Sequence, residues 1–318
     1  MIFPKSSAPG IEFACFGYPR GDARRVTQGM LAGLGGRLLV WQFKLGLLAI
    51  IWGCSFLFIK VALADLSPAE ITLGRCLLGA LAVAPGVAVR RLALPHTQRL
   101  WMHLFVAALF LNTAPFSLYG YAERHVSSAV AGVANGTSAL FTVLFAFTVL
   151  HDERATVHTV LGILIGLTGV AVVLRVWDGV HADTGGVLVA VAAAACQGFG
   201  WVYVRHFLRH TGYSPLVLTA GQLSLASAQL ILLCLATAPR IPTMGTTTLA
   251  AVLALGVLGT GLAYVLQHSI IRDAGATAAS TVTYLIPVVA VTVGAIFLHE
   301  PVGWSLLGAR RWYYSARR

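Results

Sequence analysis

Apolar runs of about twenty residues recur along this chain, separated by connections as short as the one from Asp65 to Pro68. Crossing a hydrocarbon layer roughly 30 Å thick takes about 20 apolar residues of helix. In that layer the backbone has no water to bond, so a spanning segment must satisfy its own N–H and C=O groups, as a helix does. Only 10% of the residues are charged and the mean hydropathy is +0.81. A soluble domain carries about 25% charged residues, so this chain has too few to coat a surface facing water. The fold class expected is therefore an all-α, multi-pass membrane protein.

The runs place spans at roughly 45–64, 69–89, 100–120, 127–150 and 156–176, then at 186–204, 214–237, 247–268 and 275–298. Helices so tightly joined are antiparallel neighbours. Residues 1–43 are mixed and basic, lack a compact secretory signal, and read as a disordered cytoplasmic arm. The sequence leaves open whether Met1 or Met30 is the start.

Charge sets the orientation. With the arm in the cytoplasm, thirteen Lys and Arg residues, among them Arg90, Arg91, Arg99, Arg205 and Arg209, fall on that side. Three (Arg124, Arg175 and Arg240) fall on the other. This is the bias that orients membrane proteins, and it predicts a cytoplasmic N-terminus in the cell membrane. The net charge of +11 is thus spent on topology. No basic stripe interleaved with exposed aromatics points to nucleic acid.

The chain also resembles itself at a spacing of about 147 residues. Gly53 and Lys60 align with Gly198 and Arg205, and Ser67-Pro68 with Ser214-Pro215. Thr72 and Gly74 align with Thr219 and Gly221, Thr113 with Thr260, Ala129 with Ala276, and Glu153 with Glu300. Five spans per copy is an odd number, so the second copy must insert upside down. Inverted repeats of this kind are typical of secondary transporters. The boundaries drawn are 44–176 for the first repeat, 186–309 for the second and 310–318 for an atypical basic tail.

The stretch Trp52-Gly53-Cys54-Ser55-Phe56 with Lys60, Ser67-Pro68 and Arg75 resembles the start of an EamA domain. So does Leu111-Asn112-Thr113 through Ser128-Ala129 to Leu150-His151-Asp152-Glu153-Arg154. The second copy offers Gly259-Thr260-Gly261, Tyr264, Ala276-Thr277-Ala278, Tyr284-Leu285-Ile286-Pro287 and Glu300. Over roughly 45–309 the pattern is similar to ten-helix members of the drug/metabolite transporter superfamily. That resemblance implies movement of a small metabolite or drug across the membrane by alternating access, as an exporter, coupled to a proton or an exchanged counter-substrate. Partners would be the lipid bilayer and a small-molecule substrate. Two departures stand out. Leu140 occupies the place of Pro287, so a helix break is expected to be missing from the first copy. After Ala309 the tenth helix gives way to Arg310-Arg311, and 301–318 is expected to stop short of crossing. An inactive remnant of such a transporter is the alternative that this truncation raises.

Candidate substrate-path residues are the polar, charged or amphipathic groups inside spans: Trp52, Lys60, Arg75, Tyr119, Asn135, Trp201, Tyr203, Tyr264, Gln267 and Tyr284. Ionisable groups within spans are costly and tend to face a cavity. Lys60 could equally snorkel to the interface, and Arg75 could equally pair with Glu70. Glu153 and Glu300 read as structural, carboxylates that cap helix N-termini, and Pro287 as a helix break. The five cysteines show no CxxC pair and no metal-ligand spacing, so neither metal nor cofactor is expected. The motifs of a membrane-embedded enzyme are missing: no His-Glu-x-x-His and no phosphate-binding glycine loop. Reporter fusions after Arg91 and Arg209 should read cytoplasmic and fusions near Asp65 and Asp183 external. Residues 65 and 91 on one face would contradict the first hairpin.

Overall fold

The computed structural model describes residues 22–149, 183–208, 211–237, 243–280 and 282–300. The expected fifth span at 156–176, Glu153 and the tail 301–318 lie outside the described residues. Among the described residues seven helical stretches are long and apolar enough to cross a membrane: Val40–Ala62, Pro68–Val89, Gln98–Ala122, Ser128–Thr148, Thr184–Phe207, Pro215–Thr237 and Thr246–Ile271. A shorter apolar helix, Val282–Phe297, follows. Large hydrophobics such as Phe43, Met102, Leu144, Leu188, Leu232 and Phe297 point outward and are exposed. That would be a liability in water and is the expected coat in lipid.

The elements are α1 (Asp22–Ala62) and α2 (Pro68–Val89), then α3 (Gln98–Ala108), a π-helical turn (Leu109–Thr113) and α4 (Ala114–Ala122). Next come α5 (Ser128–Gly136), α6 (Ser138–Val149), α7 (Thr184–Phe207) and α8 (Pro215–Thr237). Last are α9 (Thr246–Leu253), a second π-helical stretch (Ala254–Leu262), α10 (Ala263–Ser280) and α11 (Val282–Phe297). Local chemistry starts several of them. Ser67 and Glu70 form a reciprocal capping box ahead of α2, with Pro68 at the first helical position. Ser127 accepts from Val130 N, and Asp183 from Gly185 N.

Three sequence expectations need correction. Helix α1 begins at Asp22, so residues 22–43 are helical where disorder was expected; no proline lies between Pro19 and Pro68 to stop it. The connection expected near 269–274 is also helical: α10 runs on to Ser280, with no proline to stop it. The helix break expected to be missing from the first repeat is present: Thr137 separates α5 from α6. Asn135-Gly136 has poor helix propensity, and the Thr137 hydroxyl donates to Ala134 O at 2.6 Å, competing with the helix ladder. In the second repeat α11 runs through Pro287.

The two copies run in opposite directions through the bundle. Lys44, near the start of the membrane stretch Val40–Ala62, pairs with Asp273 at 2.7 Å, beyond the membrane stretch that began at Thr246. At the opposite end Asp65, just after α1, accepts from Gly245 N and Thr248 Oγ1 at the start of α9. There too His125 pairs with Asp183, where α7 starts. So α1 leaves where its repeat equivalent α7 enters. The copies also interlock. Helix α1 packs along α11, α6 along α7, and α2 against α8. Equivalent glycines allow the two swapped contacts. A Cβ on Gly53 would come within 2.5 Å of Val289, and one on Gly198 within 2.6 Å of Phe141 Cβ and 2.8 Å of Thr142 N. Small residues let helices approach this closely where no hydrophobic force drives them together. The blocking atoms at Gly198 include backbone, which cannot rotate away. Gly198→Ala should therefore cost about 1–3 kcal/mol, the usual range for overpacking. It should lower the apparent melting temperature of the purified protein, and an unchanged value would show that α6 and α7 are not held at this distance.

Candidate functional site

A cavity of about 410 Å³ lies between the two repeats, within the range that accepts a small molecule. Helices α1, α2, α4 to α7, α10 and α11 and both π-helical stretches contribute to its wall. Eight of the ten sequence candidates line it: Trp52, Arg75, Tyr119, Asn135, Trp201, Tyr264, Gln267 and Tyr284. Among the described residues it extends toward the end that holds Lys44, Arg90 and Arg205, where Tyr284 is 68% exposed. Toward the other end it closes on Phe56, Phe116 and Tyr119, whose rings pack edge to face between Phe56 and Tyr119 at 5.7 Å.

Arg75 sits at that closed end and is 7% exposed. It does not pair with Glu70, whose carboxylate is engaged by Ser67 N at 2.7 Å. Its Nε donates to Thr260 Oγ1 at 2.9 Å and its Nη2 to Gly259 O at 3.3 Å. The guanidinium carbon lies 3.8 Å above the Phe116 ring. Both acceptors belong to the second π-helical stretch. A π-helical turn shifts the backbone register and leaves carbonyls open to other donors, which is one reason such turns gather at functional sites. Gly259 O also receives Trp52 Nε1 at 3.2 Å. Among the described residues no carboxylate lies within ion-pair distance of Arg75. A cation is thus held in a buried wall by neutral acceptors and a ring face.

The repeat equivalent of Arg75 is Gln222, and it reproduces the contact in neutral form. Gln222 Nε2 donates to Asn112 Oδ1, and Asn112 is the equivalent of Gly259. Asn112 in turn donates to Tyr264 OH at 3.2 Å. Thus α2 grips the π-helical stretch of the second copy while α8 grips that of the first. Only the former grip is charged. The polar lining continues with Tyr119 OH, 3.0 Å from Asn135 Oδ1 and 3.3 Å from Gln197 Oε1.

Lys60 and Tyr203 lie off the cavity. The Lys60 ammonium donates to the backbone carbonyls of Glu123 and Val126, so it fastens α1 to the turn after α4. Tyr203 contacts His103 Nδ1 at 2.8 Å and belongs to a ring cluster with Phe199 and Phe207. Glu300 caps a helix N-terminus in the other copy. Its carboxylate accepts from Ser128 N at 2.8 Å, Ala129 N at 3.1 Å and Ser128 Oγ at 2.8 Å, so it caps α5 of the other copy. Pro287 packs near Gly136, where a Cβ would lie 3.1 Å from its ring. Sequence reading missed Gln197, Ser138 and Thr142 in the wall, all small or neutral groups within apolar runs. It also missed Glu123, which is wholly buried; its signal was being the single acidic residue between Glu70 and Asp152. No group of His, Cys, Asp or Glu able to hold a metal occurs among the described residues.

Comparison with known proteins is consistent along the chain. The profile of the EamA-like transporter family matches twice, over residues 40–175 and 184–309. The "Uncharacterized transporter YvbV" of Bacillus subtilis is 29% identical over 268 residues, covering 83% of this chain and 85% of that protein. A "Probable terminal-alkyne amino-acid exporter" of Streptantibioticus cattleyicolor is 29% identical over 279 residues, covering 85% and 89% respectively. A protein of known crystal structure shares the fold with a TM-score of 0.62 at 22% identity, covering 83% of this chain and 90% of its own. With two family matches on an all-helical bundle of membrane-length helices, this chain belongs to the EamA-like transporter family.

Proposed function

We propose that this transporter moves a small molecule with a carboxylate at one end and an apolar or aromatic group at the other, of the kind an amino acid presents. The observation that carries this reading is Arg75. A buried guanidinium facing a cavity, with no carboxylate partner among the described residues, is costly unless an anion joins it. Its planar fork suits a carboxylate. Around it Trp52, Phe56, Phe116, Trp201 and Tyr264 offer ring faces and edges to an apolar side chain. The amino-acid exporter among the relatives is in keeping with this chemistry.

Alternating access would follow from the architecture. Equivalent helices run in opposite directions around one site, so rocking the halves would close one end of the cavity and open the other. The basic end would face the cytoplasm, as the positive charges favour, and the direction would be export. A proton or an exchanged counter-substrate would drive the cycle.

The test is uptake into proteoliposomes of leucine and phenylalanine, beside the amines that share their side chains but lack the carboxylate. The amino acids should be carried and the amines not. Arg75→Gln should raise the apparent half-saturation concentration by roughly 30-fold or more. That corresponds to the lower bound of about 2 kcal/mol for removing one partner of a buried charge pair. Equal transport of acids and amines, with Arg75→Gln silent, would remove the carboxylate from the reading.

A further inference from the structure

Outside the cavity wall, at the end where Arg75 is closed in, one group stands apart. Glu123 follows directly on α4, in the turn that leads to α5, and it is 0% exposed. Both of its carboxylate oxygens are buried and neither has a hydrogen-bond partner. Its backbone carbonyl, by contrast, is held by the Lys60 ammonium. An ionised carboxylate left without hydrogen bonds in such a place would carry a large desolvation cost, whereas the neutral acid would not.

The groups that act on it come from each neighbouring element. Lys60 on α1 and Arg75 on α2 favour its charged form, and Glu300, beyond α11, disfavours it. Arg124 and His125 follow it in its own turn, with His125 committed to Asp183 at 2.8 Å. Burial outweighs the two cations and pushes the Glu123 carboxyl well above the usual carboxylate range. Several contacts at this end of the bundle hold it closed. Lys60 ties α1 to the turn, Glu300 ties the end of α11 to α5, and Asp65 ties the α1–α2 loop to α9. The Glu300 and Asp65 contacts cross between the two repeats and would have to break for this end to open, whereas the Lys60 contact lies within the first repeat.

We propose that Glu123 is the proton-binding carboxyl of this transporter, neutral while this end is closed and ionised when the end opens to water. In closing, Glu123 takes one proton from water at this face and becomes a carboxylic acid. In opening, the acid returns that proton and the carboxylate is hydrated. One O–H bond forms or breaks and no electrons move. The assignment rests on the transporter reading above and gives this end a pH response: acidity at this face would bias it toward the closed state.

The sign follows from linkage. A carboxyl whose pKa is raised in the closed state binds its proton there more tightly than in the open state, so low pH favours closure and rising pH favours opening. The test reads opening directly and needs no substrate. Val126, 7% exposed in this closed end, is replaced by Cys in a chain whose five native cysteines are replaced by Ala. The protein is reconstituted in liposomes and labelled with a membrane-impermeant maleimide. Each rate is divided by that of Ala64→Cys, which is exposed at the same end. That ratio removes the pH dependence of the thiol itself.

The ratio should rise as pH increases, by at most tenfold per unit, which is the limit for one proton. With Glu123→Gln it should stay low and flat, and with His125→Asn it should keep the wild-type slope. A flat wild-type ratio, a slope that survives Glu123→Gln, or a slope lost with His125→Asn would each overturn the assignment. Should Glu123→Gln fail to insert, the wild-type protein carries a second measurement. Dicyclohexylcarbodiimide, which attacks protonated carboxyls in apolar surroundings, should modify Glu123 at low pH and spare it at high pH, as mapped by peptide mass spectrometry. Absence of modification across the range would equally overturn it. Failure here with carboxylate transport intact would leave the Arg75 reading standing. Normal pH gating without amino-acid transport would do the reverse.

Discussion

Hydrocarbon offers no hydrogen bonds, so each polar group within the span of this chain has to find its partner inside the protein. The structure depends on how that demand is met across the boundary between the two repeats. Glu300 of the second copy caps α5 of the first, and Arg75 on α2 fills the carbonyl and hydroxyl of the second π-helical stretch. Gln222 on α8 does the same for Asn112. Neither repeat satisfies its polar groups alone. The glycines at 53 and 198 allow the helices that carry these groups to approach closely enough to share them. Polar satisfaction and close packing are therefore two aspects of one interlocked architecture.

That interlocking leaves one asymmetry, and the functional account is built on it. The repeat-related positions 75 and 222 make equivalent contacts, yet one is a guanidinium and the other an amide. A symmetric pair of amides would satisfy the two π-helical stretches without burying a charge. The charge at 75 therefore exceeds what the fold requires. It lies at the blind end of an aromatic-lined cavity beside Phe116, and among the described residues no carboxylate pairs with it. Glu123 is a second ionisable group that the fold leaves without a partner, a buried carboxyl neither of whose oxygens is hydrogen-bonded.

Much of this was legible in the sequence because the bilayer imposes strong rules. Apolar runs fixed the spans of α2, α4 and α8, and the 147-residue spacing marked the copies. The same rules hid other features. Hydropathy does not register where one helix hands over to the next, so the apolar run ends at 268 although α10 continues, and Leu140 in the place of Pro287 argues against the break that Thr137 makes. Nor does it say which way a side chain turns. Lys60 and Arg75 looked alike as charges inside spans, and only packing sends one to the carbonyls of Glu123 and Val126 and the other to the cavity wall. Glu300 read as a cap for its own neighbour, since a cap borrowed by the other repeat leaves no local trace. Glu123, between Ala122 and Arg124, reads as a solvated loop until its burial is seen.

The central claim is that Arg75 holds a substrate carboxylate, and equilibrium binding tests it without any assumption about coupling or direction. Calorimetric titration of the purified protein with phenylalanine and with phenylalanine amide compares ligands that differ at that one group. The account predicts saturable binding of the acid, at least tenfold weaker binding of the amide, and loss of that difference in Arg75→Gln. Equal affinity for acid and amide in the wild-type protein would contradict it.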